Sequence, residues 1–131
     1  MRYVIDASVA VRWFLENEQH PNADAVLHRL VRQPELFAVP ELFAFEVFAV
    51  LQRLHPNKNV YEEGVLPLLS GGMLRYPMTE ELAVLSDKYC LAGLTGYDAT
   101  YAALAEMLES QWLTFDARAH ALIQSRGISI S

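Results

Sequence analysis

The chain has almost no cysteine and no long uninterrupted apolar run. Cys90 is the single cysteine among 131 residues, so no disulfide can form within the chain, and we expect a reducing, cytoplasmic setting. The most apolar segment, PELFAFEVFAVL, is interrupted by Glu41 and Glu46 and is too short to span a bilayer. A strand is predicted almost at residue 1, so we expect no signal peptide. These features exclude a disulfide-stapled scaffold and predict no contact with a membrane.

Basic residues are also few and scattered. The chain has 10 Lys and Arg residues against 16 Asp and Glu residues, which gives a formal net charge of −6. This charge argues against general binding to a phosphate backbone, which needs a basic surface. It does not exclude a nucleic-acid enzyme whose acidic residues collect metal ions. No histidine cluster suggests a zinc site, and we interpret all four histidines as solvated or structural: His20, His28, His55 and His120.

Apolar residues, by contrast, make up 53% of the chain, which suits a sheet covered on both faces and some apolar surface for a partner. Hydrophobic periodicity predicts strands at 2–6, 36–39, 73–78, 111–115 and 128–131, and helices at 7–17, 23–33, 41–54, 60–69, 79–91, 97–109 and 117–126. Strands that alternate with helices imply right-handed crossovers between parallel strands. We therefore predict one α/β domain over residues 1–131 with a mainly parallel sheet.

Two aspartates directly follow predicted strands, where the ligand crevice of a parallel sheet lies. Asp6 follows RYVI and Asp116 follows QWLTF, each just before a predicted helix. Each can equally be the N-cap of that helix, because aspartate is a favoured cap residue. Ser8 can help this cap or orient Asp6. Thr114 lies on the same side of its strand as Asp116, where it can support that carboxylate or be an ordinary β-branched strand residue.

Two further carboxylates lie in predicted helices. Asp98 opens helix 97–109, where Thr95 and Asp98 fit a capping box, and for this residue alone capping is the stronger interpretation. Glu46 lies on the apolar face of helix 41–54, and a buried glutamate is rare unless it is paired, bound to a metal or protonated. An ion pair with Arg12 is the structural alternative, and we favour a functional role over it.

The four carboxylates can all point into one crevice. Four uncompensated negative charges would repel one another strongly, so the set predicts a bound cation. Ligation by oxygen alone favours Mg²⁺ or Mn²⁺ over Zn²⁺.

With these residues in view, the chain resembles the PIN-domain ribonucleases, and most of all the VapC-type toxins of toxin–antitoxin pairs. The resemblance spans essentially the whole chain and rests on four blocks in order: YVIDASV, PELFAFEVFAVL, GYDATYAALAE and WLTFDARAHALIQSRGI. It implies a PIN-like three-layer α/β/α sandwich with a central, mainly parallel sheet. The family's four acidic positions are held here by Asp6, Glu46, Asp98 and Asp116. Two further family positions, which usually carry hydroxyl or amide side chains, are held by Ser8 and Thr114.

The resemblance also implies an activity, metal-assisted hydrolysis of phosphodiester bonds in RNA. Asp6, Glu46 and Asp98 would hold a Mg²⁺ or Mn²⁺ ion that activates a water, and the same ion, or a second one held with Asp116, would stabilise charge on the phosphate. The partners it implies are an RNA substrate, a second copy in a homodimer and a VapB-type antitoxin. The antitoxin's disordered tail would fold onto a groove between segments 23–33 and 41–54 and cover the acidic site.

Two other functions are compatible with acidic strand ends. A phosphoacceptor receiver domain needs an aspartate on a central strand and a late lysine, but Pro40 and Glu41 follow the second strand and no lysine follows Lys88. A PIN fold that binds without catalysing is the other alternative, and a nuclease assay with and without magnesium separates it from an enzyme.

Overall fold

Five short strands form a parallel sheet in the computed structural model, which describes residues 2–56, 58–123 and 127–129. The strands are β1 Tyr3–Ile5, β2 Phe37–Pro40, β3 Leu74–Tyr76, β4 Gln111–Thr114 and β5 Gly127–Ser129. They lie in the order β3-β2-β1-β4-β5, and every neighbouring pair is parallel. The predicted parallel sheet is confirmed, and its central strand is β1, which ends directly before Asp6.

The strands are connected by helices α1 Ala7–Ala10, α2 Pro21–Arg32, α3 Leu42–Leu54, α4 Leu66–Leu69, α5 Glu80–Leu91, α6 Gly96–Met107 and α7 Ala117–Ile123. Short 3-10 turns cover Val11–Trp13, Glu16–Glu18 and Pro34–Leu36, and a π-helical turn covers Tyr61–Val65. Helix α2 begins two residues before the predicted start, because Pro21 fits the first helical turn and the His20 ring accepts a hydrogen bond from the Asn22 amide.

The direction in which strands are added to the sheet reverses between β1 and β4. The chain runs from β1 outward to β2 and β3, then crosses back to β4 and β5. Because parallel crossovers are right-handed, the connections before and after β3 cover opposite faces. Helix α6 packs across β1, β2 and β4 with α5 against it, and α3 packs on β2. The fold is the predicted three-layer α/β/α sandwich, and its ligand crevice lies outside the carboxyl ends of β1 and β4.

Helix α6 is the most deeply buried helix in the described part of the chain, with every residue from Ala99 to Ala105 buried. Four of these seven residues are alanines, whose small side chains let the helix lie close to both the sheet and α5. The first turn of this helix carries Asp98. Its position over the centre of the sheet brings Asp98 to the ends of β1 and β4.

The predicted helix 7–17 is wrong in its second half. Helix α1 ends at Ala10, a 3-10 turn follows, and Leu15 has an extended backbone with its side chain buried. The Trp13 indole donates a 2.7 Å hydrogen bond to the Ala23 carbonyl at the start of α2. Packing of Trp13 and Leu15 against other elements thus outweighs the local helical pattern.

The structure divides the predicted helix 60–69 and describes only part of the predicted helix 117–126. The first is divided into the π-helical turn and α4, with Pro67 in the first turn of α4, where its missing N–H is tolerated. The second extends to Ile123; the predicted residues 124–126 lie outside the described residues, and Gly127, predicted as its end, begins β5. In the described ranges we find no helix that is long and apolar enough to cross a membrane.

The buried face of α3 gives a stability prediction from two identical substitutions. Val47 on α3 is fully buried, whereas Val84 on α5 is 71% exposed. Val47→Ala should lower the free energy of unfolding by about 1.5–3 kcal/mol, because it removes buried methyl groups and leaves a cavity. Val84→Ala should be neutral or slightly stabilising, because alanine has a higher helix propensity than valine. Val47→Ala gains the same helix propensity, so the difference between the two variants reports the burial of Val47. Urea unfolding of the two variants measures the difference, and equal stabilities would contradict this assignment of the core face.

Candidate active site

Asp6 lies at the carboxyl end of the central strand and is 4% exposed. Its Oδ1 accepts hydrogen bonds from the amide and the hydroxyl of Ser8, and its Oδ2 accepts one from the Trp112 indole at 3.0 Å. Burial raises the pKa of the Asp6 carboxyl, and the bonds from Ser8, Thr114 and Trp112 oppose that rise. Asp6 also caps α1, so the predicted cap and a buried carboxylate at the crevice are both present in one residue.

The two small polar residues hold this end of the sheet together. The Ser8 hydroxyl accepts a hydrogen bond from the Phe115 amide at 3.2 Å and lies 3.4 Å from the Thr114 hydroxyl. Thr114 bonds the Asp6 side chain, and its hydroxyl accepts a bond from the Asp116 amide at 3.0 Å. Thr114 therefore contacts Asp116 through the backbone, and the carboxylate that it supports is that of Asp6.

Asp116 follows β4 and caps α7. Its Oδ1 accepts a 3.0 Å hydrogen bond from the Ala119 amide, and Oδ2 takes no part in this cap. Asp98 lies across from it at the start of α6, where its amide donates to the Thr95 hydroxyl at 3.2 Å, as expected from the predicted capping box. Capping by Asp6 and Asp116 therefore coexists with their convergence at the crevice.

Asp98 and Asp116 line the same cavity of about 140 Å³, and Asp98 can donate a hydrogen bond to Asp116 when it is protonated. The pKa of the Asp98 carboxyl rises from 3.8 to about 6, first because it is partly buried and then because the charges of Asp6 and Asp116 are close. Three carboxylates from β1, β4 and α6 thus act on one another at the reversal point of the sheet. Their mutual repulsion is the electrostatic condition that a cation would relieve.

Glu46 reaches the same crevice from α3. It is half-buried, not fully buried as the apolar pattern predicted, and it lies beside the buried Phe43 and Val47. Its Oε1 accepts a 2.6 Å hydrogen bond from the Tyr101 hydroxyl. Desolvation raises the pKa of the Glu46 carboxyl, the bond from Tyr101 opposes the rise, and the charge of Asp98 adds to it.

The structure places Arg12 away from Glu46, so it does not support the ion pair that was the structural alternative. The guanidinium of Arg12 lies over the Phe115 ring, 4.0 Å from its centroid, and donates to the Glu18 carbonyl. The partner of Glu46 is instead the Tyr101 hydroxyl, a neutral donor.

Two aromatic residues of the site went unrecognised in the sequence. Trp112 donates to Asp6, Tyr101 donates to Glu46, and their rings are stacked with an interplanar angle of 2° and centroids 6.5 Å apart. The position of each residue in the sequence indicates which face it shares. Trp112 lies on the same side of β4 as Thr114, and Tyr101 follows Asp98 by three residues on the same helix. Such spacing shows a shared face but not which carboxylate each ring meets.

The four predicted acids approach one another without forming a closed cage. Among residues 2–56, 58–123 and 127–129, no three His, Cys, Asp or Glu side chains are arranged to hold a metal ion by themselves. Two of the acids line one cavity. A larger cavity of about 450 Å³ is lined by other residues, namely 14–18, Leu54, His55, Lys58 and Val60. The chemistry of the crevice is therefore that of an open, oxygen-rich site.

The PIN domain family model matches residues 3–123. The chain belongs to the PIN-domain family. This match covers the segments that contribute Asp6, Glu46, Asp98 and Asp116, and it agrees with the sheet order and with the crevice at the ends of β1 and β4. No curated protein sequence matches the chain.

Solved PIN-like structures share this fold at low sequence identity. A toxin–antitoxin complex from Klebsiella pneumoniae aligns at 15% identity with a TM-score of 0.73, covering 98% of both chains. FitAcB from Neisseria gonorrhoeae aligns at 16% identity with a TM-score of 0.76, covering 98% of this chain and 97% of that one. VapC20 from Mycobacterium tuberculosis, described as a toxin that cleaves the sarcin-ricin loop, aligns at 14% identity with a TM-score of 0.70, covering 91% and 93%. At these identities the similarity is one of fold.

The raised pKa of Asp98 predicts that the metal-free PIN domain loses stability as the pH rises. The folded chain binds this proton more tightly than the unfolded chain, so stability falls as the pH rises from about 4 to about 6. Asp98→Asn should remove that loss. Above pH 7, the free energy of unfolding of Asp98→Asn should exceed that of wild type by about 1 kcal/mol. This figure allows for the half-exposed position of Asp98 and for the lost helix-dipole interaction.

Urea unfolding in EDTA at pH 4.2 and 7.5 measures this gain. Asp87→Asn, on the exposed side of α5, is the matched control and should behave as wild type at both pH values. A gain for Asp98→Asn that is the same at both pH values would contradict the assignment of the raised pKa to this carboxyl.

Proposed function

We propose that this PIN domain is a Mg²⁺- or Mn²⁺-dependent endoribonuclease and acts as the toxin of a VapBC-type toxin–antitoxin pair. The observation that carries the proposal is the convergence of Asp6, Asp98 and Asp116 at the reversal point of a parallel sheet, with Glu46 entering from α3. Membership of a family of nucleases supports it, as does the fold shared with VapC20 and with toxin–antitoxin complexes.

The donor set fits a hard divalent cation. All four acids offer oxygen, and two of them line the same cavity. Mg²⁺ retains several waters and is commonly held by one or two carboxylates together with substrate phosphates, so an open arrangement suits it better than a closed cage. Asp6, Glu46, Asp98 and Asp116 are the residues that would hold it. When bound, it would lower the pKa of a water and stabilise the negative charge of the phosphate in the transition state.

The remaining chemistry belongs to the side chains. Asp98 titrates near pH 6 in the metal-free chain, so near neutral pH it is largely ionised and ready to accept a cation. Ser8 and Trp112 hold Asp6 in one orientation, and Tyr101 does the same for Glu46. Fixed carboxylates reduce the reorganisation that ion and substrate binding would otherwise require.

Cleavage and metal binding should both depend on Asp98. Asp98→Asn keeps the size of the side chain and removes its charge, so it should slow cleavage of a single-stranded RNA at least about 100-fold. Magnesium should raise the melting temperature of the wild-type protein by stabilising the folded state, and this rise should shrink in the variant. Asp87→Asn is again the control.

The outcomes separate an enzyme from a PIN fold that only binds. Cleavage by wild type in magnesium that stops in EDTA supports the enzyme. A wild-type protein that binds RNA and never cuts it, with or without magnesium or manganese, would refute the activity and leave the binding module. An Asp98→Asn protein that cleaves at the wild-type rate would refute the role of this residue.

The proposed partners are a second copy of the chain and a VapB-type antitoxin, in the cytoplasmic setting expected from the single cysteine. Helix α3 exposes Phe45, Phe48 and Leu54, and α2 exposes Val31. These side chains lie on segments 41–54 and 23–33, where the antitoxin's tail would bind in a helix-in-groove mode. The solved toxin–antitoxin complex with the same fold supports such a partner.

Light scattering tests both partners. The purified protein should have the mass of a homodimer, and co-expression with the product of the adjacent reading frame should yield a larger complex that does not cleave RNA. A strict monomer would count against the dimer, and failure of any small protein to co-purify from the native host would count against the antitoxin.

A further inference from the structure

The cavity beside the carboxylates, here called the Arg118 cavity, has an acidic side, a basic residue and an apolar side. It has a volume of about 140 Å³ and lies between the segment leading into α6 and the first turns of α7. Asp98 and Asp116 form the acidic side, and Arg118 brings a positive charge. Its other lining residues are Gly93, Leu94, Thr95, Ala119 and Leu122.

The size of the Arg118 cavity limits what can enter it. Sites for free small molecules commonly enclose roughly 300–1,000 Å³, at least twice this volume. A cavity this small suits one unit of a chain molecule that continues past it on both sides. Since it shares Asp98 and Asp116 with the proposed catalytic site, that unit would be part of the RNA substrate.

The backbone at Gly93 shapes the apolar side. Its φ of +111° is strained for any residue with a side chain, and the methyl groups of Leu122 lie 3.6 Å from where its Cβ would be. Leu94, which is buried, and Leu122, which is 41% exposed, both line the cavity. The two leucines offer an apolar surface to a sugar or base.

Arg118 supplies the charge that a phosphate needs at this position. Asp98 and Asp116 repel a phosphate, and the chain as a whole has a net charge of −6. The ion pairs described for basic residues are Arg75–Glu41 and Lys88–Glu106, and Arg118 is exposed on α7. Its planar guanidinium can form two parallel hydrogen bonds to phosphate oxygens.

We propose that the Arg118 cavity binds the nucleotide next to the scissile bond of a single-stranded RNA. Arg118 bonds the phosphate of that nucleotide, and Leu94 and Leu122 pack against its sugar and base. The proposal rests on the ribonuclease function proposed above, and it makes Arg118 a substrate-binding residue that takes no part in holding a metal ion.

Equilibrium binding tests the phosphate contact without cleavage. Anisotropy of a fluorescent single-stranded RNA is measured in EDTA over a range of NaCl concentrations, for wild type, Arg118→Ala and Arg32→Ala. Arg32 is an exposed arginine at the end of α2, which leads to the opposite, amino-terminal edge of the sheet. Arg118→Ala should weaken binding about tenfold and reduce the slope of log K against log[NaCl] by about 0.7, whereas Arg32→Ala should change neither.

Single-turnover cleavage in magnesium gives the second measurement. Arg118→Ala should raise the protein concentration for half-maximal rate by about the same factor and leave the maximal rate within about twofold. Arg118→Lys should restore the salt slope and only part of the affinity, because an ammonium group keeps the charge and loses the two-bond geometry.

A different set of results would overturn the proposal. Wild-type affinity and salt slope in Arg118→Ala would show that Arg118 binds no phosphate, while the ribonuclease function stands. A shifted pH–rate profile with an unchanged salt slope would show that Arg118 merely offsets the charges of Asp98 and Asp116. Absence of cleavage by wild type would refute the ribonuclease function, and the anisotropy titration would still decide the role of Arg118. Absence of both RNA binding in EDTA and cleavage in magnesium by wild type would refute both proposals.

Discussion

A buried negative charge at the end of the central strand is the constraint on which the site depends. Asp6 is almost fully enclosed, and a carboxylate in that position is tolerated when its oxygens receive hydrogen bonds. The donors come from the next turn of the chain, at Ser8, and from β4, at Trp112 and Thr114. The observed register of β1 against β4 therefore serves two purposes: it forms the hydrogen bonds of the sheet, and it brings the donors on β4 to the Asp6 carboxylate.

The same constraint extends to Glu46 through two aromatic rings. Trp112 donates to Asp6 and stacks on Tyr101, which donates to Glu46. Each ring is buried and has its polar atom on a carboxylate, so the hydrophobic core and the acidic crevice meet at these two residues. The position of α3 relative to the sheet is thus tied to the position of Asp6, although α3 and β1 lie in different layers.

Much of this arrangement was predictable from local pattern, and its tertiary contacts were not. Asp6 and Asp116 could be placed at strand ends because a buried strand followed by a helix is a strong local signal. The partner of Glu46, Tyr101, was not predicted, and the predicted helix through Leu15 ends early, because both depend on contacts between distant segments. The partner of Glu46 lies 55 residues away, and Trp13 is held by a carbonyl ten residues further along the chain.

The central position of β1 has a consequence for synthesis of the chain on the ribosome. Asp6 is translated early, whereas Trp112, one of its donors, follows 106 residues later. A nascent chain that has not yet released β4 leaves β1 with one missing neighbour and Asp6 without its indole and threonine donors. Asp98 and Asp116 also follow Asp6 far along the chain, so the crevice can form only after both have emerged. Folding that depends on such distant contacts is slow compared with local helix formation. The growing polypeptide is therefore without its assembled acidic crevice until the segment that carries Trp112 and Asp116 has left the ribosome.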